Sequence, residues 1–434
     1  VSDGKLTLSN AVGSIDNKIC FIEIATHDQG PAPTDPPAAP SGADATALSA
    51  TQVRVRWTDN SDNEGGFRIY RKLGDDGTYE LIAEAPANET EYVDNGLQPG
   101  THYVYKVLAH NVVGESAFSN EDGSTTFASN PVGTDIDWDT VAPNPVARAE
   151  SNGAVVNGKL YVLGGLYVEN GKILAMKRSD VYDPATNTWT RIKDCPDKVT
   201  HSGVVVVGDT IWLVGGYFGD HPGPGGKKVW KYNTTTDTWS RGPDLPNSRG
   251  AGGAALLNNK IYFFGGMGHD RTWESASHWV LDLNNQSAGW VSKAPLPNPR
   301  NHTTGIAING YVYCIGGQYG QEEDQIAQRD VHRYDPATDT WQKVADLPTV
   351  RSHINSSTFA WNGKIMIIGG ETGFGQVMRN VTVFDPLTNT TYEMDPLPAA
   401  RSTSVAGVLP DGRIISATGN SPNPTTTTWI GTIV

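Results

Sequence analysis

The sequence predicts an all-β chain in two folded units: a β-sandwich, then a six-bladed β-propeller closed by its own first strand. Three observations carry this. Runs with period-2 alternation, broken by turn residues every 8–12 positions, fill residues 38–128. Glycine pairs recur about every 50 residues between 133 and 434. The first and last pieces of that array are each incomplete, and each supplies what the other lacks.

Bulk properties set the frame. A chain of 434 residues is longer than one ordinary domain, and its 48 glycines suit short strands joined by many turns. A formal charge of −14 argues against nucleic acid and against an anionic membrane surface, both of which need a basic footprint. No run of about 18 apolar residues is present, so insertion of a helix into a membrane is not expected. Cys20, Cys195 and Cys314 are few and far apart, with no Cys-x-x-Cys spacing. Cys314, in the run Tyr311-Val-Tyr-Cys-Ile315, reads as a buried, inert thiol. The chain starts without Met or a signal-peptide pattern and reads as a piece of a larger polypeptide or assembly.

Residues 1–30 contain two strand-like runs, Lys5-Leu-Thr-Leu8 and Lys18-Ile-Cys-Phe-Ile-Glu-Ile24, too little to bury a core alone. They resemble the last two strands of malectin-like carbohydrate-binding domains. Residues 31–40 are a Pro-rich linker, extended and semi-rigid. The strands of 38–128 include Gln52-Val-Arg-Val-Arg-Trp57, Phe67-Arg-Ile-Tyr-Arg71 and His102-Tyr-Val-Tyr-Lys-Val-Leu-Ala109. With Trp57, Asp59-Asn-Ser-Asp-Asn-Glu-Gly-Gly-Phe67 and Leu97-Gln-Pro-Gly-Thr-His-Tyr103, this segment resembles fibronectin type III domains. The resemblance implies a β-sandwich in which the hydroxyl of Tyr103 bonds back to the backbone as a tyrosine corner. It says little about function, since such modules serve as spacers or adhesion units.

In the array, Gly-Gly pairs stand at 164–165, 215–216, 265–266, 316–317 and 369–370, with Thr418-Gly419 in the sixth place. Each follows an apolar strand such as Lys159-Leu-Tyr-Val-Leu163 or Lys260-Ile-Tyr-Phe-Phe264. A second marker recurs as Trp138, Trp189, Trp239, Trp290, Trp341 and Tyr392, at steps of 50 or 51. Trp138 has no glycine pair before it, and the chain stops at Val434 after only a third strand. Residues 134–140 therefore supply the missing outer strand, giving six blades with no free edge in residues 133–434. A glycine pair and a tryptophan at this period resemble Kelch repeats, four strands to a blade.

The start of each innermost strand carries Arg148, Arg249, Arg300, Arg351 and Arg401, with Val199 in blade 2. Five guanidinium groups converging on one mouth would form a positive site for carboxylate or phosphate. The alternative is that this Arg, part of the repeat pattern, ties neighbouring blades together. Two residues further on stand Glu150, His201, His302 and His353, with Ala251 and Thr403. The second-to-third-strand loops (166–179, 217–228, 267–277, 318–329, 371–380 and 420–427) differ between blades and mark the variable face. They hold Tyr167, Phe218, His221, His269, Trp273, Tyr319, Phe374 and Glu322-Glu-Asp324. Exposed rings beside Arg, Asn and acidic groups suit sugar faces and hydroxyls, and Trp273, required by no repeat position, is the best single candidate.

Metal and cofactor chemistry is not expected, because the histidines lie one per blade without His-x₃-His spacing. Radical-copper oxidases with Kelch propellers have seven blades and a Cys–Tyr pair that cannot be identified here. Neither a Walker loop nor a nucleophile elbow is present. Three functions remain. The first is a non-catalytic binding or adhesion protein, bacterial and secreted or cell-surface, whose partner is a glycan or a surface protein. It rests on Arg148, Arg249, Arg300, Arg351, Arg401, His302, Trp273, Tyr319 and Phe374. The second is an enzyme acting on acidic sugars, as the resemblance to Kelch epimerases and mutarotases implies, with Glu150, His201 and His302 as proton-transfer groups. An intracellular-type Kelch scaffold is the third possibility.

Overall fold

The computed structural model describes residues 33–47, 52–98, 100–126 and 134–434. The malectin-like reading of residues 1–30, and Cys20 with it, lies outside the described residues.

The first unit is a two-sheet sandwich. One sheet pairs Ser41–Ala47, Gln52–Thr58 and Glu91–Asn95; the other pairs Glu80–Pro86, Gly66–Leu73, His102–His110 and Asp122–Thr125. Alternation dictates the core: Val53, Val55 and Trp57 from one sheet meet Phe67, Ile69, Tyr105 and Val107 from the other. The Trp57 and Phe67 rings lie 5.3 Å apart. The tyrosine corner forms as expected, the amide of Gln98 donating to the Tyr103 hydroxyl at 3.0 Å. Arg54 breaks the alternation, being buried although it points away from this core. Its guanidinium donates to the carbonyl of Asn309 on the propeller, 2.9 Å away, so the second unit covers that face.

The propeller has six four-stranded antiparallel blades. The innermost strands are Asn152–Val156, Gly203–Val207, Gly253–Leu257, Thr304–Ile308, Thr358–Trp361 and Val405–Val408. The second strands (Lys159–Leu163, Thr210–Val214, Lys260–Phe264, Tyr311–Ile315, Lys364–Ile368 and Ile414–Ala417) are almost wholly buried, since blades stack on both of their faces. This is why they are continuous apolar runs and do not alternate. The glycine pairs turn the chain out of these strands with positive φ, as at Gly265 (69°) and Gly266 (80°). A Cβ on Gly266 would stand 2.6 Å from the carbonyl of Gly250. Thr418 takes the same left-handed place in blade 6.

The recurring tryptophans tie blade to blade. The indoles of Trp189, Trp239, Trp290 and Trp341 donate to the carbonyls of Ala142, Lys193, Pro243 and Ala294, at 2.9–3.0 Å. The ring closes as the sequence requires: Ile136–Val141 pairs antiparallel with Thr428–Ile433, Trp138 opposite Gly431. Leu160, Val162 and Tyr182 of blade 1 then pack with Val405, Ile415 and Ile430 of blade 6.

Candidate functional site

Each innermost strand begins with a fixed local sequence of events. The Arg-position residue leads, and two residues later the backbone turns left-handed at Glu150, His201, Ala251, His302, His353 and Thr403 (φ 46–59°). Three of these amides link one blade to the next: Ala251 to the carbonyl of His201, His353 to that of His302, Thr403 to that of His353. The result is an inner ring whose side chains face the axis. The left-handed turn at each of these residues offsets the arginines to the other side.

That offset corrects the expectation of a positively charged mouth. Arg148 is fully buried, pairs with the buried carboxylate of Asp180, and donates to the carbonyls of Gly164 and Arg178. Arg300 reaches His332 and the backbone of Cys314, and Arg351 reaches Thr382 and the Ile367 carbonyl. Arg401 donates to the Thr418 carbonyl over the Trp429 ring, and Arg249 lies between Trp273 and Trp279. All five are buried and none lines the axial cavity. Their side-chain partners lie within their own blades, and it is their backbone carbonyls that tie neighbouring blades, accepting from the amides of Gly419, Gly216, Gly266, Gly317 and Gly370.

The cavity itself is about 290 Å³ and opens on the face of the variable loops. Glu150, His201, His302 and His353 line its floor, and a further space of about 30 Å³ lies below them. The Glu150 carboxylate stands 3.0 Å from His201 Nε2 and 3.8 Å from His353 Nε2. His302 completes the ring, edge-on to His201 with centroids 4.9 Å apart and 4.2 Å from His353. Burial pushes the Glu150 carboxyl up, but His201, His353 and His221 together hold it below the ordinary carboxylate range. Burial, joined by the charges of His353, His201 and Arg271, holds His302 well below the ordinary histidine value. At neutral pH the floor thus offers a carboxylate beside a neutral imidazole, a pair able to accept protons or hydrogen bonds.

Of the other candidates, Phe374 of blade 5 lines the cavity and is half exposed, and Tyr167 of blade 1 lines it too. Trp273 is 48% exposed but stands outside the cavity, its ring stacked 5.0 Å from the Arg249 guanidinium. Tyr319 also lies outside, in a two-residue strand paired with Ile326–Ala327. His221 and Glu322, named from the variable loops, also line the cavity, and so do Arg271 and Glu371, which were not singled out from the sequence. They sit in loops of four different blades, and only the non-repeating character of those loops marked them. Arg271 lies over the Tyr217 ring at 4.3 Å and 3.8 Å from Glu322, which also meets His221 at 3.2 Å. Among the described residues, no group of three or more His, Cys, Asp or Glu stands in metal-holding geometry.

The KLHDC2/KLHL20/DRC7 Kelch-repeats domain matches residues 200–419, a Kelch motif matches 147–196, and a fibronectin type III domain matches 38–122. Kelch-like protein terF of Aspergillus terreus is 32% identical over 268 residues, 60% of this chain and 58% of that protein. A Kelch repeat-containing protein of Arabidopsis thaliana, At3g27220, is 24% identical over 66% of this chain and 69% of its own length. N-acetylneuraminate epimerase of Shigella sonnei is 33% identical over 97 residues, 21% of this chain and a quarter (25%) of the enzyme. The chain therefore spans less than two thirds of terF and a small part of the epimerase. With its six closed blades, its glycine-pair corners and these matches, the chain belongs to the Kelch-repeat proteins.

Proposed function

We propose that the propeller is a non-catalytic binding module that takes the end of a glycan in its axial cavity. The observation that carries this reading is the cavity's shape and lining: a blind pocket on the variable-loop face, with hydrogen-bonding groups on its floor and Tyr167 and Phe374 at its rim. Its volume is near the lower end of the ~300–1,000 Å³ typical of small-molecule sites, enough for one or two sugar rings and no more. Rings stack on sugar faces while floor acceptors take hydroxyl donors. Kelch-like relatives favour binding over catalysis in general terms. A secreted or cell-surface setting, a bacterial source and the malectin-like reading of residues 1–30 belong to the same proposal, supported by the fibronectin type III module and the Pro-rich spacer. The test is a glycan array followed by calorimetry on hits. Phe374→Ala should weaken binding about tenfold, whereas Trp273→Ala should change it less than about twofold, a stacked ring being worth ~1 kcal/mol or more. Binding indifferent to Phe374→Ala and to His302→Ala would remove the cavity from consideration.

A second reading, an epimerase or mutarotase of acidic sugars, is favoured by the 3.0 Å Glu150–His201 pair and the local match to N-acetylneuraminate epimerase. Anomeric exchange measured on acidic sugars, abolished by Glu150→Gln, would support it over simple binding.

A further inference from the structure

Two carboxylates, faced by His201 and His353, and one imidazole acceptor mark the floor of the cavity. Asn301 fixes the imidazole. Its amide nitrogen donates to Glu274 Oε1 at 3.0 Å and to the Gly320 carbonyl at 3.2 Å, so its Oδ1 must accept. That oxygen receives Gln321 Nε2 at 3.1 Å and faces His302 Nδ1 in a close contact. His302 Nδ1 therefore carries the ring proton, and Nε2 is left as a bare lone pair. His302 is 6% exposed, lines the cavity, and its Nε2 has no hydrogen-bond partner among the described residues. The imidazole stays neutral, since burial, with the Arg271 guanidinium nearby, disfavours a second proton on Nε2.

Beside it stand two carboxylates that no Lys or Arg neutralises among the described residues. Glu150 meets only His201 and His353; Glu371 meets His353 Nδ1 at 3.5 Å and the Ser402 hydroxyl at 2.8 Å. The one guanidinium in the cavity wall, Arg271, is engaged by Glu322 and the Tyr217 ring. A ligand carboxylate would meet like charge and a lone pair here. A group bearing a positive charge and several donors would satisfy the floor, because a primary ammonium is a compact cation with three N–H bonds.

We infer that the floor of the axial cavity recognises a protonated primary amine, carried by the amino sugar at the end of the glycan. This rests on the reading of the cavity as a glycan site and names which glycans it takes.

Calorimetry on the whole chain at about pH 6, where an amine is protonated, would compare glucosamine, N-acetylglucosamine, glucuronate and n-butylammonium. Glucosamine should bind at least about tenfold more tightly than N-acetylglucosamine, with glucuronate weakest, and Glu150→Gln or Glu371→Gln should bring the first two within about twofold. Thermal melts of both variants would show that they remain folded. N-acetylglucosamine or glucuronate binding as well as glucosamine would overturn the inference and leave the glycan site standing. Binding of n-butylammonium alone, lost in Glu150→Gln, would uphold the amine site and overturn the glycan reading. If wild-type protein binds none of the four, both fall.

Discussion

Asn355 of blade 5 donates its side-chain amide across the propeller axis to the carbonyl of Ser202 in blade 2, at 2.6 Å. Next to it, the Ser356 hydroxyl donates to the carbonyl of Ser151 in blade 1, at 3.2 Å. A short 3₁₀ turn, Asn355–Ser357, thus stitches three blades together where a central channel would run. Above it lies the Glu150–His302 floor, and below it an apolar space of about 370 Å³ lined by the innermost strands. The stitch is what makes the candidate site a blind pocket and not a pore.

Asn355→Ala should therefore destabilise the propeller by about 1–2 kcal/mol, the cost of a lost hydrogen bond plus an unpaired buried carbonyl at Ser202. Urea denaturation would show this as a lower midpoint with an unchanged slope.

The buried arginines should behave as structure. Arg148→Ala leaves the fully buried Asp180 with Arg178 alone and the carbonyl of Gly164 with only the Ser151 hydroxyl. Breaking a buried pair from one side costs about 3–5 kcal/mol. The melting temperature should fall by several degrees, while ligand affinity of the folded protein stays within about twofold of wild type, because Arg148 does not reach the cavity.

Acid should weaken the fold through His278. It is buried among Tyr262, Phe264, Tyr334 and Trp341, donates Nδ1–H to the Ala294 carbonyl at 3.0 Å, and leaves Nε2 without a partner. Burial lowers its pKa from the ordinary 6.5 to about 4. Between those values the unfolded chain binds a proton that the folded chain does not, so stability rises with pH across the window and is lost as pH falls through it. The contribution is about 3 kcal/mol in full. His278→Phe should flatten the dependence of unfolding free energy on pH between about 4 and 6.5. An equally steep profile in that variant would exonerate His278. His332, also lowered to about 4 by burial and the nearby Arg300, adds a slope of the same sign.

Much of this architecture was legible in the chain itself. The 50-residue period, the glycine pairs and the recurring tryptophan are local signals repeated six times, and repetition makes a weak signal strong. The lone Trp138 and the short last repeat specified the closure that pairs Ile136–Val141 with Thr428–Ile433. In the same way the Leu97–Tyr103 segment specified the tyrosine corner, whose donor and acceptor are five residues apart. What repetition could not specify was direction. Arg148 and Glu150 are two residues apart in an apparently extended stretch, which should put them on one face. The left-handed turn at Glu150 separates them, sending the guanidinium into the body of its own blade and the carboxylate to the axis. The rest of the site is non-local. His221, Arg271, Glu322 and Glu371 come from four loops, drawn around one axis only when the ring closes. No local propensity encodes that proximity, because it arises from the closure of six blades and not from any one of them.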